Sequence, residues 1–488
     1  MRIKGKSLRF NYVISVAINL ISYIFPLLTY PYVTRILGAE GIGKVSFAET
    51  MASYFILFST LGIPTYGIRA CAAVRDKNEE LAKVTKELIV ISLFMTAVSL
   101  CIFLGAIFTI PQFALRRRLL LINCITIILT PFGVNWFFNA IENFTYITVR
   151  TFLVKVVTLA ATFIFVKGID DYHLYALILV LSTAGAYIFN FSYMNKLIDL
   201  KSVEKLELKR HFRPILMLFA TTAAATIYSN VDVTMLGLIS GDSQVGFYNV
   251  AHKLRQVILS LVSTMGTVLI PRLSYYIKNN KKSEFGSLIT KAIHYIFFLS
   301  IPLTLFFFLA AEESVLLIAG QGYKESIIVF VCILPSIIFC AFSNMTGLQI
   351  LVPMEKENAL FKSLLIGALV DIFLNLIFIV QLKAVGVAIA TAIAEFFVLV
   401  YQVCYFRRNK MGVIGKVHLN KMVMADAVAF AATFMASQWV LAENTLVIFI
   451  LKALIFWGTY IVILVMLKDE FTMSIVEPLY RKLIRRKR

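Results

Sequence analysis

The sequence predicts an all-α integral membrane protein of fourteen transmembrane helices: two six-helix lobes in parallel repeat, followed by two additional helices. Three observations predict it. Of 488 residues 60% are hydrophobic and only 15% charged, with a mean hydropathy of +0.84, an apolar excess that has to face lipid. Apolar runs of about 20 residues recur from Tyr12 to Leu467, each able to cross a hydrocarbon core of about 30 Å at about 1.5 Å per residue. Lys and Arg gather in alternate connecting segments. Backbone groups in lipid must be satisfied within the segment, so runs of this length are helices rather than barrel strands.

The first helix, 12–34, follows the basic stretch MRIKGKSLRF; it is too long for a cleavable signal and no small-residue cleavage site follows it, so it is expected to stay. GAEGIG separates it from the second, 44–67, and the charged RDKNEE precedes the third, 86–109. The fourth and fifth, 118–140 and 146–166, are divided by IEN, and KGIDDY leads into the sixth, 173–195. After the charged linker KLIDLKSVEKLELKRHFR (Lys196–Arg213) come 214–238 and 245–270, with Gly241 between them, then 292–311 and 326–352, joined through GQGYKE. PMEKEN introduces 361–380, QLKA joins it to 385–406, and the last two, 422–441 and 446–467, precede a basic tail.

With the N-terminus inside, most of the 47 Lys and Arg lie in cytoplasmic segments, both termini are cytoplasmic, and Lys155, Lys253, Arg255 and Lys452 fall within helices. Arg116, Arg117 and Arg118 break the pattern at the outer end of the fourth helix, read either as side chains snorkelling to the interface or as cations meeting an external anion. The net charge of +20 belongs to the cytoplasmic face and its anionic membrane lipids, and no nucleic acid is implied.

The organisation is doubled. GAEGIGKVSFA (Gly38–Ala48) reappears as GDSQVGFYNVA (Gly241–Ala251), Gly38 meeting Gly241, Gly43 meeting Gly246 and Ala48 meeting Ala251. Six helices per copy, an even number, place both the same way up, which predicts an N-terminal lobe over 1–200, a C-terminal lobe over 201–410, and helices 13 and 14 with the basic tail over 411–488. Related halves of this kind suit alternating access, with a site between two rocking bundles.

Six cysteines without CxxC spacing and five scattered histidines without HExxH predict neither a disulfide framework nor a metal site, and no cofactor is expected.

Several stretches resemble a known family. PYVTRILGAEGIGKVSFAE (Pro31–Glu49) and GIPTYGIR (Gly62–Arg69) resemble the first-loop signature and second-helix end of the polysaccharide repeat-unit flippases. These are the O-antigen and capsule flippases of the multidrug/oligosaccharidyl-lipid/polysaccharide exporter superfamily. NWFFNAIENFTYITVR (Asn135–Arg150) and FVKGIDDY (Phe165–Tyr172) form the longest match; Asn230–Leu254, IPRLS (Ile270–Ser274) and GLQILVP (Gly347–Pro353) follow in order. The resemblance implies a non-enzymatic transporter of the bacterial cytoplasmic membrane. Its cargo would be a polyprenyl-pyrophosphate-linked oligosaccharide moved from inner to outer leaflet, with a polysaccharide polymerase and chain-length regulator as partners.

An ionisable residue deep in a span is expensive and faces a cavity or a partner. A pyrophosphate cargo needs cations, which makes Lys253, Arg255, Lys155, Arg35 and Arg69 the candidate substrate-binding residues. Lys253 lies about 12 Å below the outer surface, too deep to snorkel easily; Arg255 is about 200° further around the helix, so at most one of the two is central, Lys253 having the stronger claim, and the other is expected to pair elsewhere. Lys253 either pairs with Asp232 at similar depth or meets the cargo. Arg35 and Arg69 line the path or anchor at interfaces. Asp232, Glu49, Asp371 and Glu395 are candidates for coupling or gating, against ordinary interhelical hydrogen bonds such as Asn375 suggests for Asp371. Trp136, Phe137, Phe138 and Tyr146 read as an interfacial belt or a sugar-stacking platform.

A drug antiporter of the same superfamily is the close alternative, though it favours anionic cavity residues. A polymerase would carry a long external loop, a membrane acyltransferase a His/Asn pair, and a major-facilitator transporter a Gly-x-x-x-Asp-Arg type loop; none is evident.

Overall fold

A computed structural model describes residues 8–203, 205–279, 281–409, 419–439, 444–469 and 471–473. The basic tail, and parts of the segment from 411 onward, lie outside the described residues. Among these residues the chain is helical without strands, and ten stretches are long and apolar enough to cross a membrane. It is a multi-pass, all-helical membrane protein.

The chain divides into two compact units, Met1–Gly246 and Phe247–Arg488, whereas the repeat places its joint between residues 200 and 201, within the linker Lys196–Arg213. The first unit holds α1 (Leu8–Thr60), α2 (Ile63–Ala73), α3 (Asn78–Thr109), α4 (Arg117–Leu129), α5 (Asn135–Ala140), α6 (Phe144–Phe165), α7 (Tyr172–Leu197), α8 (Lys209–Ile239) and the first turn of α9 (Asp242–Lys278). The second continues α9 and holds α10 (Lys282–Leu309), α11 (Ala311–Ala319), α12 (Glu325–Ile333), α13 (Pro335–Asn344), α14 (Glu357–Arg408), α15 (Asn420–Ser437) and α16 (Thr445–Met466).

Local chemistry sets the breaks. α1 is two helices merged across Gly38, whose φ of 65° and ψ of 179° belong to glycine's territory. Gly241, its partner in the repeat, has a φ of 86°. The expected fourth helix, 118–140, is instead three pieces: Pro131 and Gly133 convert Thr130–Phe132 to a 3-10 turn, and Val134 at φ 29° starts α5 at a new angle. The expected run 326–352 likewise divides at Pro335 and ends in a π-helical turn, Met345–Leu351. α14 joins two helices across Lys383, φ 50°.

The repeated motifs touch each other inside the first unit. A Cβ on Gly43 would lie 1.8 Å from the Asp242 carbonyl oxygen, and one on Gly246 would lie 2.0 Å from the Ala39 carbonyl oxygen. Ala39 and Asp242 are themselves equivalent in the two copies, so the contacts are reciprocal, as a two-fold relation between the motifs requires. Glycine is what allows the backbones this close.

Arg116 does not snorkel. It is 8% exposed; its Nε donates to Asp242 Oδ1 at 2.7 Å, Nη2 donates to the Gly237 carbonyl at 2.9 Å, and the guanidinium lies 4.2 Å from the Phe47 ring centroid. Arg117 and Arg118 are exposed. At the other end of the unit, buried Glu87 accepts from the Glu207 backbone N–H (2.6 Å) and from Arg210 Nη2 (2.5 Å), with His211 Nε2 2.7 Å away. This tethers the linker to α3. In the second unit Lys452 donates to Glu313 (2.7 Å) and to the Leu309 carbonyl (2.8 Å), fastening α16 to α10 and α11.

Candidate functional site

The stretches Gly62–Arg69 and Asn135–Arg150 meet inside the first unit. α2 and α5 pack closely because Gly67 offers no side chain: a Cβ there would stand 2.7 Å from the Trp136 ring. Trp136 is 8% exposed and Phe137 and Phe138 are fully buried. The expected interfacial belt is thus a core, since Gly67 and its neighbours supply a wall that the aromatic rings fill. Tyr146 stacks on Tyr193 with centroids 4.4 Å apart, and Phe138 stacks on Tyr193 at 5.8 Å.

Beside this core lies a cavity of about 390 Å³ whose walls include Thr60, Thr65, Asn135, Asn139, Trp136 and Tyr187. At roughly 30 Å³ per water it holds about a dozen waters. Its polar walls are fixed by a small network. Asn190, fully buried on α7, donates its Nδ2 to the Gly133 carbonyl (2.5 Å) and to Asn135 Oδ1 (2.9 Å). Arg150 Nη2 donates to the same Asn135 oxygen at 3.0 Å. Hydroxyls, amides and aromatic faces within an apolar bundle are groups that hydrogen-bond and stack on polyhydroxylated ligands.

Arg150 is the residue that spacing did not single out. It stands within the Asn135–Arg150 match, but its hydrogen-bond partner Asn135 is 15 positions away in the chain, and Asn190, which donates to the same Asn135 oxygen, is 40 away. Among the described residues no carboxylate pairs with it, and its Nε is buried without a hydrogen-bond partner. Arg75, by contrast, pairs with Glu142 at 2.7 Å.

The predicted site residues fall as follows. Arg35 and Glu49 are exposed on α1, Arg69 is exposed on α2, Lys155 is half-buried on α6, and Asp232 is buried on α8. In the second unit Lys253 is exposed on α9 while Arg255, two positions on, is buried. Arg255 Nη2 donates to Glu395 Oε1 at 3.0 Å and its Nε to Ser336 Oγ at 2.5 Å, so the structure joins a predicted substrate cation to a predicted coupling carboxylate. Asp371 is buried on α14, one turn from buried Asn375. A further buried cluster unites Gln402 with Thr346 and Ser363, the last at 3.0 Å. No group of three or more potential metal ligands occurs among the described residues.

Comparison with known proteins follows the same lines. A protein of Escherichia coli K12 described as an O-antigen transporter is 23% identical over 407 residues, 83% of this chain and 98% of its own. Among solved structures, the lipid II flippase MurJ in an inward closed conformation matches with a TM-score of 0.74 at 16% identity, covering 97% of this chain and all of that one. An inward-facing multidrug transporter of the MATE family matches with a TM-score of 0.64 at 14% identity, over 82% of this chain and 98% of its own. These two similarities identify a shared transporter fold. Residues 8–277, more than half the sequence, match the family described as polysaccharide biosynthesis protein, and the chain belongs to that family.

Proposed function

We propose that the chain is a flippase for surface polysaccharide biosynthesis. It carries polyprenyl-pyrophosphate-linked oligosaccharide units from the inner to the outer leaflet of a bacterial cytoplasmic membrane by alternating access, making and breaking no bond. The observation that carries this reading is a cavity of mixed lining within an apolar helical bundle, where hydroxyls, amides and the Trp136 and Tyr187 rings stand among aliphatic side chains, and to which both stretches that resemble the family contribute. The named relatives agree with it: one is described as an O-antigen transporter, and MurJ as a flippase of lipid II.

In this reading the chain crosses the membrane fourteen times, with both termini cytoplasmic and the repeat halves followed by helices 13 and 14. Lys253, Lys155, Arg35 and Arg69 line the anionic cargo's path, and Arg255 with Glu395, Asp232, Glu49 and Asp371 govern coupling or gating. A polymerase and a chain-length regulator act downstream.

The test is chemical: delete the gene and identify the lipid-linked sugar in the inner leaflet. Accumulation of a single polyprenyl-linked repeat unit, with loss of surface glycan, is expected. An unchanged lipid pool together with altered drug sensitivity would overturn the flippase reading in favour of a drug antiporter. Lys253→Ala should abolish surface glycan while the protein remains in the membrane; normal glycan would remove Lys253 from the path.

A further inference from the structure

α6 and α7 border a second, larger space of about 660 Å³, also wholly within the first unit, and Arg150 is among its lining residues. Its walls are apolar along most of their length, with Leu153, Val157 and Leu181 among them, and among the described residues no acidic side chain lines it. Arg150 and Lys196 stand toward one end, beside the Tyr146–Tyr193 stack. Arg150 therefore contributes to both spaces: it lines the apolar groove and donates to Asn135, which lines the polar cavity.

We infer that these form one amphipathic site, in which the groove holds the polyprenyl chain of the cargo, Arg150 and Lys196 meet its phosphate, and the cavity receives its first sugars; this rests on the flippase reading above. Length selects the occupant. The lining runs from Tyr146 to Ala161 on α6 and from Lys196 to Ile178 on α7, about 22 and 27 Å at 1.5 Å per residue. One leaflet is only about 15 Å deep, so an ordinary acyl chain leaves the far part of the groove unfilled while a long prenyl chain runs through it. Volume agrees. A cavity of about 150 Å³ takes benzene, about 25 Å³ per carbon, so the groove takes roughly 26 carbons of such a chain.

Hydrocarbon gains little by leaving lipid for an apolar groove, because lipid tails are equally apolar. Affinity must then come from the charged end. Arg150, whose buried Nε has no hydrogen-bond partner among the described residues, shares the groove lining with a second cation and with no described acid, and such a guanidinium is suited to an anionic oxygen. The groove's task is selection by shape.

The experiment uses the full chain in phosphatidylcholine nanodiscs, with a benzophenone amino acid at Leu181 and radiolabelled polyprenyl pyrophosphate as probe. Saturable labelling is expected, displaced by unlabelled polyprenyl pyrophosphate and not by phosphatidylglycerol at the same mole fraction. Arg150→Gln should weaken it about ten-fold or more. Gly185→Leu should also weaken it by occupying the groove, since a Cβ at Gly185 meets nothing within 4 Å and the variant has room to fold. Should Arg150→Gln fail to fold, Lys196→Gln and Gly185→Leu carry the test. Labelling that does not saturate, that phosphatidylglycerol displaces equally, or that Gly185→Leu leaves unchanged would overturn the inference. If the deletion strain accumulates the lipid-linked sugar and the groove is nevertheless unlabelled, the groove assignment alone falls.

Discussion

Placing a methyl group on Gly43 or Gly246 tests the reciprocal crossing of the two repeated motifs. An ordinary carbon–oxygen contact is about 3.3 Å or longer. The new Cβ of Gly43→Ala would lie 1.8 Å from the Asp242 oxygen, and that of Gly246→Ala 2.0 Å from the Ala39 oxygen. Both atoms struck are backbone, so the helices themselves must separate by about 1.5 Å, an overpacking worth about 1–3 kcal/mol. For a cooperative unit of about 250 residues this lowers the unfolding midpoint by roughly 2–6 °C. Because the two substitutions force the same separation, the double variant should lose little more than either single one.

Gly105→Ala, at a helical glycine with nothing within 4 Å, is the control and should be neutral or stabilising by up to about 1 kcal/mol. The buried cysteines Cys71, Cys124 and Cys340 supply the assay, since a thiol-reactive dye reports their exposure as detergent-solubilised protein is heated. Midpoints for Gly43→Ala and Gly246→Ala equal to that of Gly105→Ala, or a double variant that loses the full sum, would refute the reciprocal contact.

Glu395→Ala strips buried Arg255 of its counter-charge and should cost about 3–5 kcal/mol, while replacing both residues by apolar ones of similar shape should recover most of the loss; if the double variant melts no higher than the single one, the ion pair is not what Glu395 supplies. Trp136→Ala empties the wall against Gly67 and should lower stability by about 3–5 kcal/mol, read from the same melt. On the linker, the hydrogen bond and charge of Lys83, 2.6 Å away, hold the Glu207 carboxyl below its ordinary value. Its stabilising contribution is therefore complete above the ordinary carboxylate range and lost as pH falls through the lowered value. Lys83→Gln should shrink that acid limb, leaving the weaker pull of Arg210, and unchanged melting profiles between roughly pH 3 and 5 would count against it.

Helical membrane architecture and the doubled motif were legible because both are written locally: apolar runs set the helices, and glycines at matching positions mark the repeat. The polar partnerships were not, because they join distant positions. Arg255 meets Glu395 140 residues later and Glu87 meets Arg210 across 123, and no periodicity signals either. Helical geometry did separate Lys253 from Arg255, and the structure leaves the first exposed and the second buried. Trp136 misled for a different reason. An aromatic near a span's end satisfies both an interfacial and a core pattern, and only Gly67, far earlier in the chain, decides between them. Arg150 sat inside a recognised stretch without a role because its meaning depends on what surrounds it in space.

The clamp on Arg116 also bears on how the chain is made. Its carboxylate partner, Asp242, lies 126 residues downstream. At roughly 5–20 residues per second, translation delivers Asp242 about 6–25 s after Arg116. Until then the guanidinium has neither Asp242 nor the Gly237 carbonyl, and burying it without them would be costly. α4 therefore enters the bilayer with its cationic end unsecured, and only the arrival of α8 and the start of α9 draws that end inward. A ribosome that stalls before residue 242 leaves a chain in which Arg116 has no Asp242 to pair with.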